Sequence, residues 1–152
     1  MENVYAVADW FLIKESMPHK KLQKLCYYAQ AWSLALLDQP IMDETFQAWV
    51  HGPVSTSLWY SLKDYGYLDI PQETFEPSRR DFTEKENDLL EEVWATYGEF
   101  SGYELESITH QEMPWLEARG DLPPSAASRK VISNDTMKMY YRGLVRGEGI
   151  GE

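Results

Sequence analysis

The chain has 152 residues, enough for one domain with a hydrophobic core, and 43% of it is hydrophobic, including ten tyrosines and six tryptophans. Its 14 basic residues face 25 acidic ones, a formal charge of -11. That is the wrong sign for a non-specific grip on a phosphate backbone and the right sign for attraction to a basic partner.

One cysteine, Cys26, excludes an internal disulfide framework and suits a reducing compartment. No apolar run reaches the roughly 18 residues needed to span a bilayer. The opening MENVYAVADW carries acids where a signal peptide would be basic, so no membrane association and a cytoplasmic location are expected.

Val4, Val7, Ala8, Phe11 and Leu12 recur at helical spacing and predict a helix over 3–14. The most apolar segment follows Pro18: Leu22, Leu25, Cys26, Ala29, Trp32 and Leu36 share one face of a helix from Lys20. Tyr27, Ala31 and Leu34 form a second strip, so this helix is expected at the centre, packed on both sides. Cys26 then reads as a small buried hydrophobe, not a nucleophile.

Asp38-Gln39-Pro40 ends that helix. Residues 45–50 alternate like a short strand, Gly52-Pro53 marks a turn, and Leu58, Trp59, Leu62 and Tyr65 predict a helix closed by Gly66. Residues 67–82, with Pro71 and Pro77, read as loop or short extended pieces. Two capping boxes follow, Thr83 to Glu86 and Ser101 to Glu104. The first opens a helix through Leu89, Leu90, Val93, Trp94 and Tyr97; the second opens a short one through Leu105 and Ile108. Pro114 starts a further turn carrying Trp115, and Pro123-Pro124 breaks the chain. Ser133 or Asn134 caps a last helix through Met137, Tyr140, Tyr141 and Leu144. The expected organisation is one mainly α domain over residues 1–145, with six or seven helices and at most a short β-hairpin. RGEGIGE, 146–152, reads as a flexible tail.

Signs of catalysis are absent from the motifs. His19, His51 and His110 sit in no recognised zinc spacing, and His110 with Glu112 is too little for a metal site. There is no nucleophile elbow, phosphate-binding loop or dinucleotide glycine pattern. The acid pair Glu91-Glu92 belongs on a solvated helix face. No cofactor is expected.

Two constellations carry more. In Trp49-His51-Gly52-Pro53, Gly52 allows a backbone conformation closed to other residues and Pro53 directs the next helix. In Thr109-His110 with Pro114-Trp115, a polar pair at a helix end meets a large aromatic. Both read either as scaffold or as a recognition patch with aromatic anchors, and the scaffold reading weighs more because large aromatics usually pack into cores. With Tyr60 on the intervening helix, the candidate partner-binding residues are Trp49, His51, Gly52, Pro53, Tyr60, Thr109, His110 and Trp115.

KLQKLCYYAQAW (21–32), FQAWVHGPVSTSLW (46–59), YGYL (65–68) and LESITHQEMPWLEA (105–118) occur in this order. Together they resemble the SocA-like Panacea domain, a mostly helical family of prophages and toxin–antitoxin pairs, over about residues 4 to 145. The resemblance implies a protein-binding module rather than an enzyme: an antitoxin that neutralises a cognate protein toxin, encoded by an adjacent gene, through direct contact. The alternatives are an adaptor that delivers its toxin to a ClpXP-type protease, as the family's namesake does, or a phage-associated enzyme with a pocket around His51 and His110. Some relatives carry an added DNA-binding domain; this chain has no room for one, so no direct nucleic-acid binding is expected. Since the AWxxGPV element recurs across members with unlike partners, the resemblance favours it as a fold-making corner.

Overall fold

The computed structural model describes residues 3–145; the tail expected at 146–152 lies outside them. Helix α1, Val4–Lys14, starts at Asn3, whose side chain accepts from the Ala6 amide at 3.2 Å. Its apolar stripe, Val4, Val7, Ala8, Phe11 and Leu12, is buried as the spacing predicts. A two-residue strand, β1 (Met17–Pro18), leads into α2, His19–Leu36.

Helix α2 is the axle of the molecule. From Lys21 to Ala35 every residue is buried except half-buried Trp32. Two apolar strips alone would not bury a helix so completely; its polar positions are buried because each meets a partner. Gln30 is bonded to the backbone of Ile41 and Met42, and Ser33 donates to the Gln39 carbonyl at 2.6 Å. Gln23 donates to the Ser55 carbonyl and accepts from its amide, and Lys21 donates to the Gly98 carbonyl at 2.6 Å. Polar side chains of the central helix thus hold the irregular segments around it. Cys26 is buried among apolar groups, and burial pushes its thiol pKa up, as expected of an inert structural cysteine. Leu36, placed on the apolar face by its spacing, is instead exposed, while Ser33, Leu34 and Ala35 of the same last turn are buried. Asp38 ends the run at φ 60°, a left-handed conformation that aspartate tolerates.

The rest of the chain wraps α2. Strands β2 (Gln47–Trp49) and β3 (Gly52–Val54) form the expected antiparallel hairpin, pairing Trp49 with Gly52. Ser55 caps α3, Thr56–Leu62, which continues as a 3-10 turn to Tyr65. A second small sheet, not foreseen, pairs β1 with β4 (Asp69–Ile70), so the 67–82 connection is anchored to the start of α2. Both capping boxes form, opening α4 (Glu84–Tyr97) and α5 (Gly102–Thr109). Pro114 sits in the first turn of α6, Met113–Arg119. Ser133 accepts from the Thr136 amide at the start of α7, Asn134–Val145. Among the described residues the fold is mainly α, with seven helices and two two-stranded sheets.

The core is unusually aromatic. Tyr28 stacks on Tyr97 at 3.9 Å, and Tyr28 and Tyr141 both donate at 2.8 Å to one oxygen of buried Glu112. Burial pushes the Glu112 carboxyl up, and the two phenols oppose that by stabilising its charge.

Candidate functional site

The hairpin, the starts of α2 and α5, helix α3 and the 127–129 segment surround a cleft of about 690 Å³. That volume suits a small organic ligand or a few side chains of a partner. Trp49, Trp59, Tyr67 and Tyr103 make much of its apolar wall, with Trp49 and Trp59 packed edge-to-face at 5.4 Å. Polar groups enter mainly from α2: His19, Lys20, Gln23 and Lys24 are at spacings that bring them to one side of the helix.

Lys24 is 2% exposed, and its one hydrogen bond to a described residue runs to the Pro53 carbonyl at 3.3 Å. Burial, reinforced by nearby Lys20 and only partly opposed by Glu106, pulls its pKa down to about 7. A lysine so buried, with a second lysine beside it, holds its proton less tightly than usual. His19 is also driven down, to about 4, by burial and by Lys24. Geometry gives the same answer independently. The Gln23 amide is oriented by its two bonds to Ser55, so its NH₂ faces His19 Nε2 at 3.1 Å and that nitrogen must accept. A protonated His19 would set donor against donor.

On the opposite side Glu106 receives Lys20 Nζ at 2.6 Å and His51 Nδ1 at 3.0 Å. Partial burial raises its pKa, but these two bonds outweigh that and hold the carboxyl below its usual range. Lys20 also lies over the Tyr103 ring at 4.1 Å.

The expected site residues separate into two groups. Gly52, Pro53, Thr109 and Trp115 are buried. Gly52 has φ 106°, and a Cβ there would come within 2.6 Å of Lys24 Cε and 3.1 Å of Thr109 Oγ1. Trp115 donates to the Trp49 carbonyl at 2.9 Å, and Arg119 to the Ala48 carbonyl at 3.2 Å. The α5–α6 corner thus clamps the hairpin. His110 stacks on Trp115 at 4.1 Å, and burial lowers its pKa. Trp49 and His51 line the cleft, His51 being exposed; Tyr60, 67% exposed, lies outside it but packs edge-on against Trp59.

The field of Glu106 acts on both His51 and His110, but His110 is packed on Trp115 and only His51 is among the residues lining the cleft. Its most perturbed group, however, is Lys24, which motif reading passed over. The available signal was position: a lysine between Leu22 and Leu25 on a helix with two apolar sides has little room to reach solvent. Glu106, Trp59 and Tyr103 were passed over because only the fold brings them to the hairpin.

A family model described as "Antitoxin SocA-like, Panacea domain" matches residues 22–116, from the central helix through the clamp. No curated protein and no solved structure matches the chain. Among the described residues no group of histidine, cysteine and acidic side chains could hold a metal ion, and no helix is long and apolar enough to cross a membrane.

Proposed function

Because the chain belongs to the antitoxin SocA-like, Panacea-domain family, we propose that it is an antitoxin that binds a cognate protein toxin directly and blocks it. The family match over 22–116 carries this reading. The surface is compatible with it. Tyr60 (67% exposed), Tyr67 (89%) and Tyr103 (65%) stand around the cleft beside Trp49 and His51, and exposed aromatics of this kind anchor protein interfaces. In this proposal Trp49, His51 and Tyr60 touch the partner. Gly52, Pro53, Thr109, His110 and Trp115 shape the surface from beneath.

The test is co-expression with the neighbouring gene product in a bacterial host. Growth inhibition relieved by this chain, with a complex that survives purification, is the expected result. Tyr60→Ala should weaken that complex by about tenfold or more while leaving thermal unfolding unchanged. The charge of -11 predicts an association rate that falls as salt rises, if the toxin's face is basic. A partner that disappears from cells, and returns when a ClpXP-type protease is deleted, would replace inhibition by delivery to proteolysis. No inhibition and no complex would overturn the proposal.

A further inference from the structure

The cleft has a charge at odds with the rest of the molecule. The chain carries 25 acidic residues, yet none is among the residues that line the cleft, whereas Lys20, Lys24 and Arg129 all do. Glu106 stands behind the wall and is satisfied by Lys20 and His51. Lys24 and Arg129 have no carboxylate partner among the described residues. Lys24 uses one of its three ammonium donors on Pro53, leaving two without an acceptor among the described residues. Enclosing a lysine in this way is costly, and a charged partner beside it would offset the cost.

A further feature favours negative charge at the same end. Helix α2, 18 residues long, begins at Pro18, which supplies no capping side chain, and Pro18, His19 and Lys20 line the cleft. The positive end of its dipole therefore adds to the two lysines. Around this cationic floor the walls are Trp49, Trp59, Tyr67 and Tyr103. Rings of this kind offer flat apolar faces to a ring-bearing ligand.

We propose that this cleft binds a small organic anion, with an apolar ring-bearing body held between the aromatic walls and one negatively charged group beside Lys24. This is a site for a small molecule, and it shares Trp49 and His51 with the proposed toxin contact. Volume, wall chemistry and charge agree on the occupant: about 690 Å³ is the size of a small-ligand pocket, and its lining carries cations and no carboxylate.

The test compares two fluorescent probes on the purified full chain: anilinonaphthalene sulfonate, and N-phenylnaphthylamine, which has the same rings without the sulfonate. The expected result is a single site that prefers the sulfonate by at least about tenfold at pH 6.5, the value of one charge-assisted hydrogen bond. The preference should shrink as pH rises to 8.5, because Lys24, with a pKa of about 7, loses its proton. The titratable and charged groups around it are His19 and Lys20 on α2, Glu106 on α5 with His110 at that helix's end, His51 on the hairpin and Arg129 on the far wall.

Lys24→Met should reduce the preference and remove its pH dependence while leaving the neutral probe's affinity unchanged. Arg129→Gln, at an exposed position, tests the same idea without touching the core and should weaken sulfonate binding by about threefold or more. Loss of preference in either variant supports the proposal. Equal affinity for the two probes, or a preference untouched by both variants, overturns it. If the toxin protein displaces the sulfonate one for one, and Lys24→Met also breaks the toxin complex, the occupant is a partner side chain and the small-molecule assignment falls.

Discussion

At Gly52 three requirements meet in one residue. The hairpin needs φ 106° to turn back, Lys24 passes where a Cβ would be, and Thr109 closes the other side. A side chain here meets both backbone strain and overpacking. Gly52→Ala should therefore lower stability by about 2–4 kcal/mol, read as a shift in urea midpoint with unchanged slope. A loss under about 1 kcal/mol would mean that Lys24 moves aside freely, and would weaken the view of this turn as a scaffold corner. The same contact explains why the HGP sequence mattered without announcing chemistry. Its histidine lines the cleft beside Glu106, while its glycine and proline position the lysine of another helix.

Elements in this fold start where short polar side chains tell them to. Asn3, Ser55, Thr83 and Ser101 each accept from an amide of the first turn, and the last two are answered by Glu86 and Glu104. Such caps satisfy donors that have no intrahelical partner, and the two capping boxes were legible from spacing alone, whereas Asn3 and Ser55 were not. The cap on α5 has a functional consequence, because Ser101, Gly102 and Tyr103 form one wall of the cleft. Ser101→Ala should cost about 1 kcal/mol. Amide exchange should rise locally at Gly102 to Leu105, and unchanged exchange there would show that packing against α2 alone fixes this helix start. The β1–β4 pair was not legible. Two residues a side carry no alternation to read, and pairing Met17 with Ile70 is a long-range event.

For the whole molecule, the buried bases set a pH dependence that opposes acid. His19 and Lys24 both have folded-state pKa values below their ordinary ones. The folded state therefore binds fewer protons, and stability is lost as pH falls from the unfolded pKa to the folded one. For Lys24 that window runs from about 10.5 down to about 7, and for His19 from 6.5 down to about 4. Glu106, held low by its two bonds, also loses its contribution in acid, whereas Glu112, raised by burial, works the other way and loses its contribution as pH rises. Denaturation midpoints should rise between pH 7 and 10. Lys24→Met should flatten that rise and stabilise the protein at pH 7, by an amount on the order of a few kcal/mol. A slope identical to that of the unsubstituted protein would show that Lys24 titrates normally and finds water.

Sequence by itself determined the mainly α class, the helix starts, the central place of α2, the hairpin and the burial of Cys26. These follow from local rules: apolar period, caps, turn residues and the scarcity of polar exits on a two-sided helix. The four spaced motifs also pointed to the family that the 22–116 match supports. Only the tertiary structure decided where the polar residues of α2 go. Gln23, Lys24 and Gln30 could have been surface residues by composition; they are buried because Ser55, Pro53 and the 41–42 backbone meet them there. The cleft belongs to that second kind of fact. Its walls come from five separated stretches of chain, and its positive charge in an acidic molecule arises because folding gathers Lys20, Lys24 and Arg129 while leaving every carboxylate off its lining.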